Sequence, residues 1–144
     1  MKLVSYSSNG FPQLAFYIND NLYDTNKADT KLPATMADLL QNWEATIDAM
    51  KQTDADIKSG KNTAKGIAYA EACIMAPVPN PTSCRDGYAF RQHVAAARRN
   101  RKVDMIPEFD QYPIWYFTNH NAIQGPGAVH CMPDHFKKLD FELE

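Results

Sequence analysis

The pattern of apolar and polar positions changes character along the chain. Residues 2–6 and 13–18 read as strands, and Ser8-Asn9-Gly10 between them supplies the positive-φ residues that a hairpin wants. A second turn, Asn19-Asp20-Asn21, leads into Leu22-Tyr23-Asp24, which makes a small antiparallel meander. The period then lengthens. Across residues 31–52, Met36, Leu39, Leu40, Trp43, Ile47 and Met50 recur at spacings of three and four, the stripe of a core-facing helix. Thr35 is a suitable N-cap, and Asp38 three residues on resembles a capping box. Residues 53–66 are polar, carry Gly60 and Gly66, and read as a connection with room for one helical turn; "IAYAEACIM" (67–75) reads as a strand. The proline-stiffened "APVPNP" (76–81) is an extended linker, and a boundary is expected there.

Beyond the linker the texture shifts to aromatics, histidines and turn residues. A helix is expected at about residues 88–102, strands at 113–118 and 139–144, and a short strand at 128–132. The fold class is therefore α+β: an N-terminal meander-plus-helix module over 1–75, then the beginning of a mostly β fold over 76–144.

Composition narrows the function classes. Hydrophobic residues are 44% and charged residues 22%, ordinary for a globular chain of 144 residues. A net charge of -2 gives no reason to expect nucleic acid. No apolar run reaches the ~18 residues of a membrane span, and the N-terminus lacks a signal-peptide pattern, so no membrane partner and a cytoplasmic location are expected. Cys73, Cys84 and Cys131 are odd in number and widely spaced, which suits reduced thiols.

Two segments could carry chemistry. In "LDFELE" (139–144) apolar and acidic residues alternate, which sets Glu142 and Glu144 on one side of a strand, about 7 Å apart. Their repulsion is relieved either by a divalent cation, which favours several carboxylate oxygens, or by solvent along a half-buried strand. In "SCRDGYAFRQH" Asp86 precedes the second helix by a few residues, and His93 lies seven positions on. That spacing is about 10 Å along a helix, too long for a direct hydrogen bond but compatible with a ligand at one end and a base at the other. A surface or structural histidine is the plain alternative. The cluster Arg98, Arg99, Arg101 and Lys102 reads as a solvated helix C-terminus. A zinc set drawn from Cys84, His130, Cys131 and His135 matches no closed finger or ribbon spacing.

Taken together, "RDGYAFRQH", "YPIWYFTNH" and "LDFELE" resemble, in order, motifs of the fumarylacetoacetate hydrolase family, and of its fumarylacetoacetase-like branch. The resemblance covers residues 84–144. It implies that Asp86, Glu142 and Glu144 ligate a divalent metal, Mg²⁺ or Ca²⁺ with Mn²⁺ as a further candidate, that His93 is the general base, and that Tyr88 and Tyr116 contact substrate. The implied reaction is hydrolysis of a carbon–carbon bond in a β-diketo acid of the fumarylacetoacetate or acylpyruvate type. The family arginine that follows the histidine helix has no secure counterpart, since Arg101 and Lys102 both fall near its place. A further aspartate ligand, a lysine and most of the catalytic β-fold would follow Glu144 in the family, so the expectation is an N-terminal portion that is inactive alone. The same chemistry serves a keto-acid decarboxylase, isomerase or hydratase. A non-enzymatic module that pairs with a second copy through an exposed strand edge is the remaining alternative.

Overall fold

The computed structural model describes residues 1–138, so the acidic strand expected at 139–144, with Glu142 and Glu144, lies outside the described residues. The chain is α+β, and its sheet is a curled antiparallel half-barrel.

Three strands open it: β1 (Leu3–Ser8), β2 (Phe11–Ile18) and β3 (Asn21–Asp24). Ser8 faces Phe11 and Ile18 faces Asn21, so each hairpin turns on two residues. Both turns have positive φ throughout: Asn9 52°, Gly10 83°, Asn19 49° and Asp20 60°. This is the type I′ pattern, whose twist matches the strands it joins, and it is one that Asn, Asp and Gly tolerate.

After a single helical turn, α1 (Thr25–Ala28), the helix expected as one piece forms two: α2 (Met36–Gln41) and α3 (Trp43–Lys58). Thr35 is the N-cap as expected, its hydroxyl accepting from the Asp38 amide at 3.1 Å, while the Asp38 carboxylate accepts from that same hydroxyl at 2.7 Å instead of from a backbone amide as in a capping box. The break falls at Asn42, whose side-chain amide donates to the Asp38 carbonyl at 2.9 Å. A short amide side chain that bonds the preceding turn competes with the backbone ladder. The break turns Leu40 and Trp43 outward, to 51% and 42% exposure, so they leave the expected core stripe. Helix α3 also runs six residues past the expected end at 52, through part of what reads as a polar connection. Its buried line is Met50, Thr53, Asp54 and Ile57, half of it polar, and hydrophobic periodicity does not register such a line.

The strand expected at 67–75 is likewise divided. β4 (Ile67–Ala68) pairs with β3, a 3₁₀ turn covers Tyr69–Glu71, and β5 (Cys73–Ile74) pairs with β1. The sheet order is β4-β3-β2-β1-β5, so one short segment serves both edges. A straight strand could not reach both, and the 3₁₀ turn redirects it. One face of β2 sends Leu14, Phe16 and Ile18 against Leu32, Leu39, Met50 and Ile57; Tyr6, Ala15 and Leu22 form a second cluster.

Residues 1–81 with 121–129 form one compact unit, and residues 82–120 with 130–138 form another. Within the first, Ser5 donates to the Pro77 carbonyl at 2.7 Å and the Met75 amide donates to Ser5 at 2.9 Å, which fastens the start of the proline segment to β1. Gly125 lies so close to the end of β5 that a Cβ would sit 2.4 Å from the Ile74 carbonyl oxygen and 2.8 Å from Met75 Cα. Those obstacles are backbone and cannot rotate away. Gly125→Ala is expected to cost about 1–3 kcal/mol and to lower Tm by roughly 4 °C or more in thermal melts. An unchanged Tm would show that the 121–129 loop does not pack there.

The second unit holds β6 (Arg85–Gly87), α4 (Arg91–Asn100), a 3₁₀ turn at Pro107–Asp110 and β7 (Trp115–Phe117). The helix starts three residues later than expected because Tyr88 still belongs to the ladder, its amide donating to the Ile114 carbonyl at 3.2 Å. The helix ends with Val103 bonded to Arg98 and Lys102 to Arg99, with Lys102 at φ 57°, a Schellman closure in which a lysine takes the left-handed position. Residues 128–132 form no strand, against expectation.

Candidate functional site

The two-stranded ribbon β6–β7 brings together residues thirty positions apart. Arg85 faces Phe117, Asp86 faces Tyr116 and Gly87 faces Trp115. Directly opposed residues of an antiparallel pair project to the same side. Asp86 and Tyr116 therefore share one face, while Arg85, Gly87, Trp115 and Phe117 share the other. On that second face the Arg85 guanidinium lies 5.5 Å from the centre of the Phe117 ring.

Where β6 gives way to α4, the chain delivers Tyr88 and His93. Their rings meet edge to face at 6.0 Å between centroids, and Tyr88 meets Phe109 in the same manner at 6.2 Å. His93 occupies the first turn of α4 and is exposed, whereas Asp86 and Tyr88 are half-buried and Tyr116 is 68% exposed. The start of α4 is fixed by Arg91, which forks onto Asp110: Nε to Oδ1 at 2.7 Å and a terminal nitrogen to Oδ2 at 3.2 Å. These charge-assisted bonds hold the Asp110 carboxyl below the usual carboxylate range, so it accepts from Arg91 as the anion. The same clasp sets the 3₁₀ turn, and with it Phe109, beside Tyr88.

Four of the six site residues read from the sequence thus fall on β6, the link that follows it, β7 and the first turn of α4. Asp86 is registered opposite Tyr116, and Tyr88 lies against His93. The other two, Glu142 and Glu144, lie outside the described residues. Among the described residues no three His, Cys, Asp or Glu side chains gather into a metal-holding group, and that covers Cys84, His130, Cys131 and His135. In the basic cluster, Arg98 Nε donates to the Asp104 carbonyl and Arg101 Nε to the Ala97 carbonyl at 3.3 Å. Both caps satisfy carbonyls at or beyond the end of α4, in keeping with a helix C-terminus.

The sequence reading overlooked the surroundings of Tyr88. Gly87, Tyr88, Ala89, Phe109, Tyr112, Pro113, Ile114 and Trp115 line an open hollow of about 260 Å³. Its signal was present as aromatics every third position, Phe109, Tyr112 and Trp115, but the intervening Pro113 and the turn hid any regular period. No described helix is long and apolar enough to cross a membrane. Compared with protein-family models the chain matches none, and no curated protein matches it either.

Proposed function

We propose that the chain is the N-terminal portion of a metal-dependent hydrolase that cleaves a carbon–carbon bond in β-diketo acids of the fumarylacetoacetate or acylpyruvate type. The reading rests on the motif residues and their placement, without support from any matched relative. The observation that carries it is the register of β6 against β7, which sets Asp86 opposite Tyr116, next to the Tyr88–His93 pair.

Asp86, Glu142 and Glu144 are all carboxylates, a donor set suited to a hard divalent cation such as Mg²⁺, Ca²⁺ or Mn²⁺. When bound, the cation would polarise the substrate's keto oxygens and neutralise developing negative charge. His93, exposed at the start of α4, would take the proton from the attacking water. Tyr88 would hold the imidazole by its ring edge, and the Tyr116 hydroxyl, on the same face as Asp86, would orient the substrate by hydrogen bonding. The Arg91–Asp110 clasp would keep the helix carrying His93 from shifting.

Calorimetric titration of Mg²⁺, Ca²⁺ and Mn²⁺ tests the proposal. The expected result is binding to the wild type, lost in Glu142→Ala and in Asp86→Ala. Binding retained in both variants would refute the ligand assignment.

The module reading has its own supporting observation: Trp115, Tyr116 and Phe117 are 50%, 68% and 69% exposed on a ribbon that has two strands among the described residues. An absence of cation binding at millimolar concentration, with concentration-dependent dimerisation in the ultracentrifuge, would favour it over the hydrolase.

A further inference from the structure

The geometry points to a specific kind of substrate: a keto acid whose far end is an uncharged, apolar group, seated in the hollow beside Tyr88. The inference rests on the hydrolase reading and names the tail that the reading leaves open. Tyr88, Phe109, Tyr112, Ile114 and Trp115 are among the residues that line the hollow, and among the described residues no Asp, Glu, Lys, Arg or His does. Gly87 forms part of the floor: a Cβ there would come within 3.2 Å of Trp115, so the absence of a side chain lets the indole lie against β6. At about 260 Å³ the space exceeds the ~150 Å³ apolar cavity known to hold a benzene ring, so a phenyl group or a branched alkyl chain fits.

Position and charge narrow the choice. Tyr88 is a wall of the hollow and also the ring against His93, so a tail in the hollow starts one aromatic ring away from the proposed base. A tail ending in a second carboxylate would meet no cationic side chain among the described residues that line the hollow. Arg91, on the neighbouring helix, is already held by both oxygens of Asp110. A carboxylate laid against these apolar residues gains no partner from them, whereas an aromatic ring gains apolar burial and edge-to-face contacts. The hollow therefore selects aryl or alkyl diketo acids over dicarboxylic ones.

Two keto acids with the same head and different tails test this without metal or turnover. The full chain, ¹⁵N-labelled and in EDTA, is titrated by NMR with phenylpyruvate and separately with oxaloacetate. Trp115 is distinguished from Trp43, the other of the two tryptophans, by assignment of the indole signals. Phenylpyruvate is expected to shift the Trp115 indole and the amides of Tyr88, Ala89 and Ile114, and to bind roughly ten-fold more tightly than oxaloacetate, a difference that apolar burial of one ring can supply. Tyr112→Ala, at a 64% exposed position that the core does not need, is expected to weaken it about five-fold; Tyr112→Phe should retain it. Equal or tighter binding of oxaloacetate, or no movement at Trp115, overturns the tail assignment. Failure of the cation titration with the phenylpyruvate shifts intact removes the hydrolase reading and leaves an aryl-acid site. Cation binding without those shifts removes only the tail.

Discussion

Phe16→Ala is expected to lower the free energy of unfolding by about 3–5 kcal/mol, as large aromatic truncations in packed cores do. Against a total stability of ~5–15 kcal/mol for an ordinary domain, that is enough to leave the first unit marginal. Phe16 is wholly buried at 0% exposure, in the middle of the five-stranded sheet. On β2 it is opposite Leu3 of β1 and Tyr23 of β3, so both neighbouring strands lean on it. Its ring belongs to the cluster that joins the sheet to Leu39 of α2 and to Met50 and Ile57 of α3. A cavity there would open between layers that are each fixed by their own hydrogen bonds and can collapse only partly. The measurement is urea denaturation followed by circular dichroism, with Phe11→Ala as the control. Phe11 begins the same strand but is 69% exposed, and its truncation should change stability by less than about 0.5 kcal/mol. Similar midpoints for the two variants would show that the core does not lie where the burial places it.

The meander was legible because its signals are local. Asn9-Gly10 and Asn19-Asp20 need no tertiary help to specify tight turns, and the strands between them follow. Thr35 with Asp38 was legible for the same reason. What the sequence concealed depends on partners far along the chain. The break at Asn42 is set by one side chain reaching back to Asp38, in a window whose apolar spacing reads as continuous helix. The extension of α3 to Lys58 carries Thr53 and Asp54, polar residues that the fold buries, with the N-terminal amine 3.9 Å from the Asp54 carboxylate. Asp54 illustrates the cost. One of its oxygens pairs with Lys58 at 2.6 Å, and the other, Oδ1, is buried without a hydrogen-bond partner. No period in the sequence anticipates such a residue facing inward. The same distinction separates the two parts of the candidate site. Asp86, Tyr88, His93 and Tyr116 were read from short motifs, and β6–β7 registers Asp86 with Tyr116. The hollow of Phe109, Tyr112 and Trp115 arises only when the Arg91–Asp110 clasp folds a proline-rich segment against β6, and that clasp spans nineteen positions.

Asp24→Ala is expected to cost about 3 kcal/mol, far more than its place at a strand end suggests. The carboxylate ends β3 and is only 7% exposed. One oxygen accepts from the Tyr6 hydroxyl and the other pairs with Lys27. Alanine would leave the phenol, itself 4% exposed, with a buried hydroxyl lacking that acceptor, and this desolvation penalty is added to the lost charge-assisted bond. Lys27→Ala is the informative comparison. The lysine side chain is 75% exposed, so its loss should cost no more than about 1 kcal/mol. The pair also sets a pH dependence. Burial first, then the hydrogen bond to Asp24 and its negative charge, push the Tyr6 phenol well above its ordinary 10.0. The folded chain thus keeps a proton that the unfolded chain releases near pH 10. The stabilisation from this group is complete below pH 10 and is lost as pH climbs from there through the folded value, because the unfolded state then binds fewer protons. Chemical denaturation from pH 8 to 11.5 should show wild-type stability falling above pH 10, with a shallower fall in Tyr6→Phe. Parallel curves for the two proteins would mean that the Tyr6–Asp24 contact does not govern the alkaline limb.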